Sequence, residues 1–292
     1  MTVYSYFDAH CDTLSRCLGQ GWSLWENPGH LDLKRLSAYE QKGQVFALFA
    51  DSAKVPAEER FRTISAQAAL LHEAKRKDPA GLENCFLSVE GAELLGCDAG
   101  RLEEVREWGV RWVNLTWNHP NALCGSCRSG GGLTRRGRDF VRRCGQLGLG
   151  IDLSHLSDQG AWDVLRLEAA PVLASHSDSR ALCGHPRNLT DALFRAVVGS
   201  GGFVGVNFCI HFLGEKPAAE AVADHLEHFL ALGGEDHLGT GADFDGTDVP
   251  EDLSGVQDLP GLWAILERRG FSRELIRKLA WGNLETFLRI LA

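Results

Sequence analysis

Gly148-Leu149-Gly150-Ile151-Asp152-Leu153-Ser154-His155 and Pro171-Val172-Leu173-Ala174-Ser175-His176-Ser177 are the two stretches on which the fold turns. Each is a short apolar run that finishes in Ser-His, and between them residues 157–169 carry their apolar side chains three and four apart. A run that is apolar almost throughout reads as a strand covered on both faces. A helical segment between two such runs reads as the crossover that joins parallel neighbours. Working outward, the same unit recurs along the chain. Further strand-like runs lie at 3–7, 44–49, 85–89, 111–115, 202–207 and 238–242, and helical periodicity at 57–77, 99–108, 134–147, 191–199 and 218–232, with 259–270 and 272–290 closing the chain. Eight strands alternating with helices, without a long linker, a composition break or a solenoid-type repeat, predict an α/β fold, a single (β/α)8 TIM-type barrel over residues 1–292, better than an open doubly wound sheet.

Composition agrees with a large buried core. The 292 residues are 44% hydrophobic and 24% charged, which excludes a disordered, fibrous or membrane-spanning chain. A formal net charge of -9 repels phosphate backbones and anionic membrane surfaces, so neither nucleic acid nor a membrane is an expected partner. There is no apolar run of about 18 residues, no export signal ahead of the first strand and no anchor tail after Leu291-Ala292, so a cytoplasmic location is expected. Nine cysteines spread over the chain fit a reducing compartment, and the lone Cys124-Gly-Ser-Cys127 pair reads as structural or incidental.

In a barrel of this kind the chemistry sits where strands end and loops to the helices begin. Reactive residues cluster at those ends. Run one leads into Asp8-Ala9-His10-Cys11-Asp12, where His10 and Asp12, two apart on an extended chain, point to the same side and can share a metal. Run three ends in Glu90-Gly91, which alone would pass for a solvated loop acid. Runs five and six end in His155 and His176, and run eight in Gly239-Thr240-Gly241-Ala242-Asp243-Phe244-Asp245-Gly246, whose small residues allow backbone and ligand to approach closely. Gathered on one rim these are more ligands than one zinc ion requires. A two-metal centre accounts for the surplus: His10 and Asp12 on one ion, His155 and His176 on the other, and Glu90 bridging with one oxygen to each.

The ordered set Asp8-Ala9-His10-Cys11-Asp12, Glu90-Gly91, Gly132-Leu133-Thr134, Ile151-Asp152-Leu153-Ser154-His155, Ser175-His176-Ser177, Arg187-Asn188-Leu189-Thr190-Asp191 and Gly241-Ala242-Asp243-Phe244-Asp245-Gly246 resembles the membrane (renal) dipeptidase family, the M19 peptidases of the amidohydrolase superfamily, over nearly the whole chain. The resemblance implies a metal-dependent hydrolase with two zinc ions per chain, held by His10, Asp12, Glu90, His155 and His176. It implies Arg187 on the substrate carboxylate and Asp243 acting at the scissile nitrogen. The reaction so implied is hydrolysis of dipeptides, including those with a C-terminal D-residue, by a metal-bridging hydroxide, with Asp243 and Glu90 as the catalytic carboxylates. Where the renal enzyme has a Leu-Thr-His run carrying a substrate-contacting His, this chain reads Leu115-Thr116-Trp117-Asn118-His119, which makes Trp117 and His119 the substrate-binding candidates there.

Other readings remain at this stage. A related amidohydrolase acting on a lactone, cyclic amide or phosphoester would use the same metal rim, although Arg187 would then lack an obvious purpose. A barrel that binds metal or peptide without turnover is the alternative outside enzymes. A homodimer is the assembly considered. His225 and His228, three apart on a helix, lie outside the rim pattern and read as structural, as do His72, His185, His211 and His237.

Overall fold

The computed structural model describes residues 5–291. Its strands β1 (Tyr6–Cys11), β2 (Lys42–Leu48), β3 (Cys85–Glu90), β4 (Val110–Asn114), β5 (Gly150–Asp152), β6 (Val172–Ala174), β7 (Phe203–Val206) and β8 (Leu238–Thr240) pair in parallel, each with the next. Asp8 in β1 lies opposite Thr240 in β8, which closes the barrel. The main crossover helices are Ala57–Lys77, Leu102–Glu107, Arg135–Gln146, Asp158–Leu167, Asp191–Gly199 and Ala219–Ala231, so the alternation read from the sequence is the observed architecture. Helix starts carry side-chain caps that the sequence supplies: Thr134, Ser157, Thr190 and Ser272, among others, each accept a backbone N–H of the first turn. Among the described residues no helix is long and apolar enough to cross a membrane.

The barrel interior is layered by polarity. Phe7, Val45, Trp112, Leu173 and Phe203 pack with Trp281, Leu284 and Phe287 from the C-terminal helical segment, and the Phe7 and Trp281 rings lie 4.7 Å apart. Further along the strands the interior turns polar, with Asp8, His10, Glu90 and Asp152 buried. Because all eight strands run the same way, these groups converge on the C-terminal mouth.

Two elements depart from the sequence expectation. The first strand was expected at 3–7 with His10 beyond it; Val3 and Tyr4 lie outside the described residues, and β1 runs on to Cys11, so His10 stands inside the strand. The extension is possible because Asp8, a charge within a strand, is satisfied there: its carboxylate accepts the N–H groups of His10 at 3.0 Å and Ala242 at 2.8 Å, and the Gln44 amide at 3.2 Å. The segment expected as one helix at 272–290 is instead Arg273–Arg277, a wide π turn over Lys278–Gly282, and Asn283–Leu288. Asn283 donates to the carbonyls of Glu235 and Leu238, at 2.9 and 2.8 Å, and so docks this bulge on the base of β8. Thr13–Gln20 and Leu33–Leu36 are helices whose brevity hid their periodicity.

Candidate metal centre

Five strands bring His10 and Asp12, Glu90, His155, His176 and Asp243 to one place. Glu90 stands at the middle: its Oε1 is 2.9 Å from His155 Nε2 and 3.7 Å from His176 Nε2, while its Oε2 is 3.7 Å from His10 Nε2. The two imidazoles of β5 and β6 thus face one carboxylate oxygen and the imidazole of β1 faces the other. His10 Nε2 also lies 3.5 Å from Asp12 Oδ2 and 3.8 Å from Asp243 Oδ1. Donor atoms of His10, Glu90 and His176, and of His10, Asp12 and Asp243, fall within 4.8 Å of one another.

Hydrogen bonds behind the rim decide which nitrogen each imidazole offers. His155 Nδ1 lies 3.1 Å from Asn118 Oδ1, an acceptor, so Nδ1 carries the proton and Nε2 keeps its lone pair toward Glu90. For His176 the device has two members. The Ser175 hydroxyl donates to Asp152 Oδ2, and His176 Nδ1 lies 2.7 Å from the same Ser175 Oγ. Asp152 is itself held, its Oδ1 accepting from the N–H groups of Ser154 at 2.9 Å and Ser175 at 3.0 Å. With the hydroxyl proton committed to Asp152, the His176 ring must donate from Nδ1 and present Nε2 bare. His155 Nε2 and His176 Nε2 then stand 3.1 Å apart, both as lone pairs, which only a shared positive species between them would make favourable.

Electrostatics give the same answer. Burial opposes a charged His10, yet Glu90, Asp12 and Asp243 outweigh it and push that ring up to about 10. Burial, reinforced by Asp12, holds the Glu90 carboxyl well above the usual carboxylate range, and burial pushes Asp243 up to about 6. His155 and His176 are driven well below the ordinary histidine value by burial, with Arg187 and His10 adding to it. Neutral imidazoles facing crowded carboxylates are a site short of positive charge. Both His10 nitrogens and Asp12 Oδ1 are buried with no hydrogen-bond partner, although such groups are normally satisfied. Imidazole nitrogen and carboxylate oxygen are the donor set that zinc takes, so the residues fit a metal centre.

The backbone bends to make the rim. His155 at φ 70° and Asp243 at φ 60° occupy the left-handed region, which costs a residue with a side chain about 1–3 kcal/mol. Local bonds hold both: the His155 carbonyl accepts from Cys127 N–H at 2.8 Å, and Asp243 N–H donates to the His10 carbonyl at 3.1 Å. Asn207, at the end of β7, donates its amide to Asp243 Oδ2 at 3.1 Å and leaves Oδ1 toward His10. At Gly246 a Cβ would collide with Asp12 Oδ2 and Asp243 Oδ1, so the close approach expected of this glycine-rich segment is real there.

A cavity of about 820 Å³ opens over the rim, lined by Asp12, Glu90, Trp117, His155, Arg187 and Asp243 among others. Arg187 is 7% exposed, its guanidinium over the Phe212 ring at 5.6 Å and donating to the His176 carbonyl at 3.3 Å. Trp117 stands in the wall with its ring centre 6.2 Å from that of His155. His119 is different: it is exposed and is not among the lining residues, and Asn118, behind His155, takes the inward place in that loop. His225 and His228 also lie away from the rim. His225 Nδ1 accepts the Ser179 N–H at 3.0 Å, and His228 Nε2 lies 2.9 Å from Asp191 Oδ1.

Sequence reasoning missed Asn118, Asp152, Ser175 and Asn207. Two carried a usable signal: an aspartate inside the apolar run Gly150-Ile151-Asp152-Leu153 must be paired somewhere. Asn207 ends the one strand among runs five to eight to which no role was given.

The membrane dipeptidase (peptidase family M19) sequence model matches residues 1–292. The crystal structure of dipeptidase AC superposes with a TM-score of 0.90 at 32% identity, covering 99% of each chain. A metallo peptidase from Rhodobacter sphaeroides, liganded with a phosphinate mimic of the dipeptide L-Ala-D-Ala, superposes with a TM-score of 0.89 at 30% identity over 99% of this chain and 100% of its own. Dipeptidase tcpJ of Claviceps purpurea (strain 20.1) is 33% identical over 214 residues, 70% of this chain and 50% of that protein. The agreement runs through sequence and barrel alike, and the chain belongs to the membrane dipeptidase family, peptidase family M19, as a metallo-dipeptidase.

Proposed function

We propose that this dipeptidase works with two zinc ions, His10 and Asp12 holding one, His155 and His176 the other, and Glu90 bridging. The observation that carries this reading is the division of Glu90, with Oε1 turned to His155 and His176 and Oε2 to His10. Metal bound at such a site supplies Lewis acidity, lowering the pKa of a water and polarising a carbonyl. The chain's own residues do the rest. Asn118 and Ser175 keep the lone pairs of His155 and His176 facing inward. Arg187, always charged and with donors in a planar fork, binds the free carboxylate of the dipeptide. Asp243, its Oδ2 fixed by Asn207, holds or moves a proton at the scissile nitrogen through Oδ1. Trp117 supplies an apolar wall. A C-terminal D-residue belongs to the proposed substrate range, supported by the dipeptide mimic in the Rhodobacter sphaeroides relative. A cytoplasmic location is part of the reading, supported by nine cysteines that are all free.

The test pairs metal content with a substrate change. Zinc-reconstituted protein should hold about two ions per chain and cleave dipeptides, and amidating the C-terminus should abolish most of kcat/KM in wild type. Arg187→Ala should mainly raise KM, by about 2–5 kcal/mol in binding, and should scarcely distinguish free from amidated dipeptide. One ion or none per chain refutes the two-metal centre, and equal cleavage of both substrates by wild type refutes the role of Arg187.

A further inference from the structure

Four fixed cations line the cavity over the rim: Arg16, Lys54, Arg128 and Arg187. Three have acceptors within the fold. Arg16 Nε donates to the Asp245 carbonyl at 2.8 Å, Lys54 Nζ pairs with Asp51 at 3.2 Å, and Arg187 donates to the His176 carbonyl at 3.3 Å. Among the described residues the Arg128 guanidinium has neither a hydrogen bond nor an ion pair.

Its backbone, by contrast, is fixed. Ser126 bridges Leu156, Cys127 N–H donates to the His155 carbonyl at 2.8 Å, and the N–H groups of Ser129 and Gly130 return to the Ser126 carbonyl at 3.0 and 2.9 Å. Ser126 Oγ in turn donates to the Asn118 carbonyl at 3.0 Å. Arg128 thus stands at the corner of a tight turn anchored on the strand end that carries His155. An arginine on an ordered turn at a cavity wall, with all five N–H donors unspent, has already met the cost of ordering its backbone.

Its side of the cavity follows from its neighbours. Cys127, next to Arg128, donates its N–H to the His155 carbonyl, Arg187 donates to the His176 carbonyl, the rings of His155 and His176 lie 5.1 Å apart, and both arginines line the cavity, so they stand on the same wall. On the function proposed above, Arg187 takes the dipeptide's α-carboxylate, which lays the C-terminal residue along that wall. A second guanidinium there complements a second carboxylate. We propose that Arg128 is the side-chain subsite for an acidic C-terminal residue, so that dipeptides ending in aspartate or glutamate are the favoured substrate class. This inference rests on the dipeptidase reading.

The experiment compares kcat/KM for alanyl-glutamate and alanyl-glutamine, which differ only in the charge of the C-terminal side chain, using zinc-loaded wild type, Arg128→Ala and Arg128→Glu. Wild type should favour the acidic dipeptide roughly 10-fold or more, as one charge-assisted hydrogen bond would give. Arg128→Ala should abolish the preference, and Arg128→Glu should reverse it toward alanyl-lysine. Because the side chain is exposed and unpaired, the thermal midpoint should not move, which separates lost recognition from lost fold. A wild-type preference that survives Arg128→Ala, equal cleavage of the two dipeptides by wild type, or an Arg128-dependent preference found only when the order is reversed to glutamyl-alanine overturns the subsite alone. No cleavage of any dipeptide by metal-loaded wild type overturns the dipeptidase reading, and the subsite with it.

Discussion

Removing the hydroxyl of Ser175 tests whether the shell behind the rim sets metal affinity. Ser175, Asp152 and His176 are all fully buried, and Ser175 Oγ links the Asp152 carboxylate to His176 Nδ1 at 2.7 Å. In Ser175→Ala the Nδ1 proton loses its acceptor in a place water does not reach, a penalty of about 1–3 kcal/mol. The ring is then free to change tautomer, and zinc affinity should fall roughly 10- to 100-fold, as for other outer partners of metal-binding histidines. Asp152→Asn should be worse. Its Oδ1 position already accepts the Ser154 and Ser175 N–H groups, so the amide oxygen must sit there and the NH2 must face Ser175. The serine proton then turns to His176 Nδ1, the ring proton moves to Nε2, and the lone pair facing Glu90 is gone. Competition titrations against a chromophoric zinc chelator, at one pH above neutrality, measure both variants. Affinities within twofold of wild type in both, or a weaker effect for Asp152→Asn than for Ser175→Ala, would show that the tautomer argument is wrong.

Three further outcomes follow from the geometry. Asp243→Asn should lower kcat by roughly 10²-fold or more with the metal content unchanged; Asn207→Leu should share part of that kcat loss and flatten the pH–rate profile, and a pure KM effect in either would contradict the proton role. Gly246→Ala should push the Asp12 and Asp243 carboxylates apart and reduce bound metal on elemental analysis, whereas full metal occupancy would mean that the approach at Gly246 is not required. His225, lowered to about 4 chiefly by burial although the Leu213 carbonyl acts the other way, takes up a proton more readily when unfolded. Its stabilisation is therefore complete above about pH 6.5 and is lost as pH falls toward about 4, a change of about 3 kcal/mol. Urea titrations at pH 5 and pH 7 should show a smaller pH dependence in His225→Asn, which keeps an acceptor for Ser179 N–H; an unchanged dependence would place the acid sensitivity elsewhere.

The repeating order of apolar run and helical segment was enough to read the barrel, because a parallel strand covered on both faces and an amphipathic crossover helix each leave a local pattern. The same local logic placed His10, Asp12, Glu90, His155, His176 and Asp243 together, since a closed parallel sheet sends every strand end to one mouth. It did not reach the end of the first strand, where Asp8 is tolerated only through partners on β2 and after β8, or the π turn at Lys278–Gly282, whose anchor lies at Glu235 and Leu238. Nor could it separate Asn118 from His119, neighbours of which one stands behind His155 and the other in solvent. Residue types and their order along the chain thus determined the fold and the candidate ligands. The tautomers of His155 and His176, the oxygen that Asp243 offers and the unpaired state of Arg128 were decided only by tertiary structure, because each depends on a hydrogen bond made, or left unmade, between segments far apart in sequence.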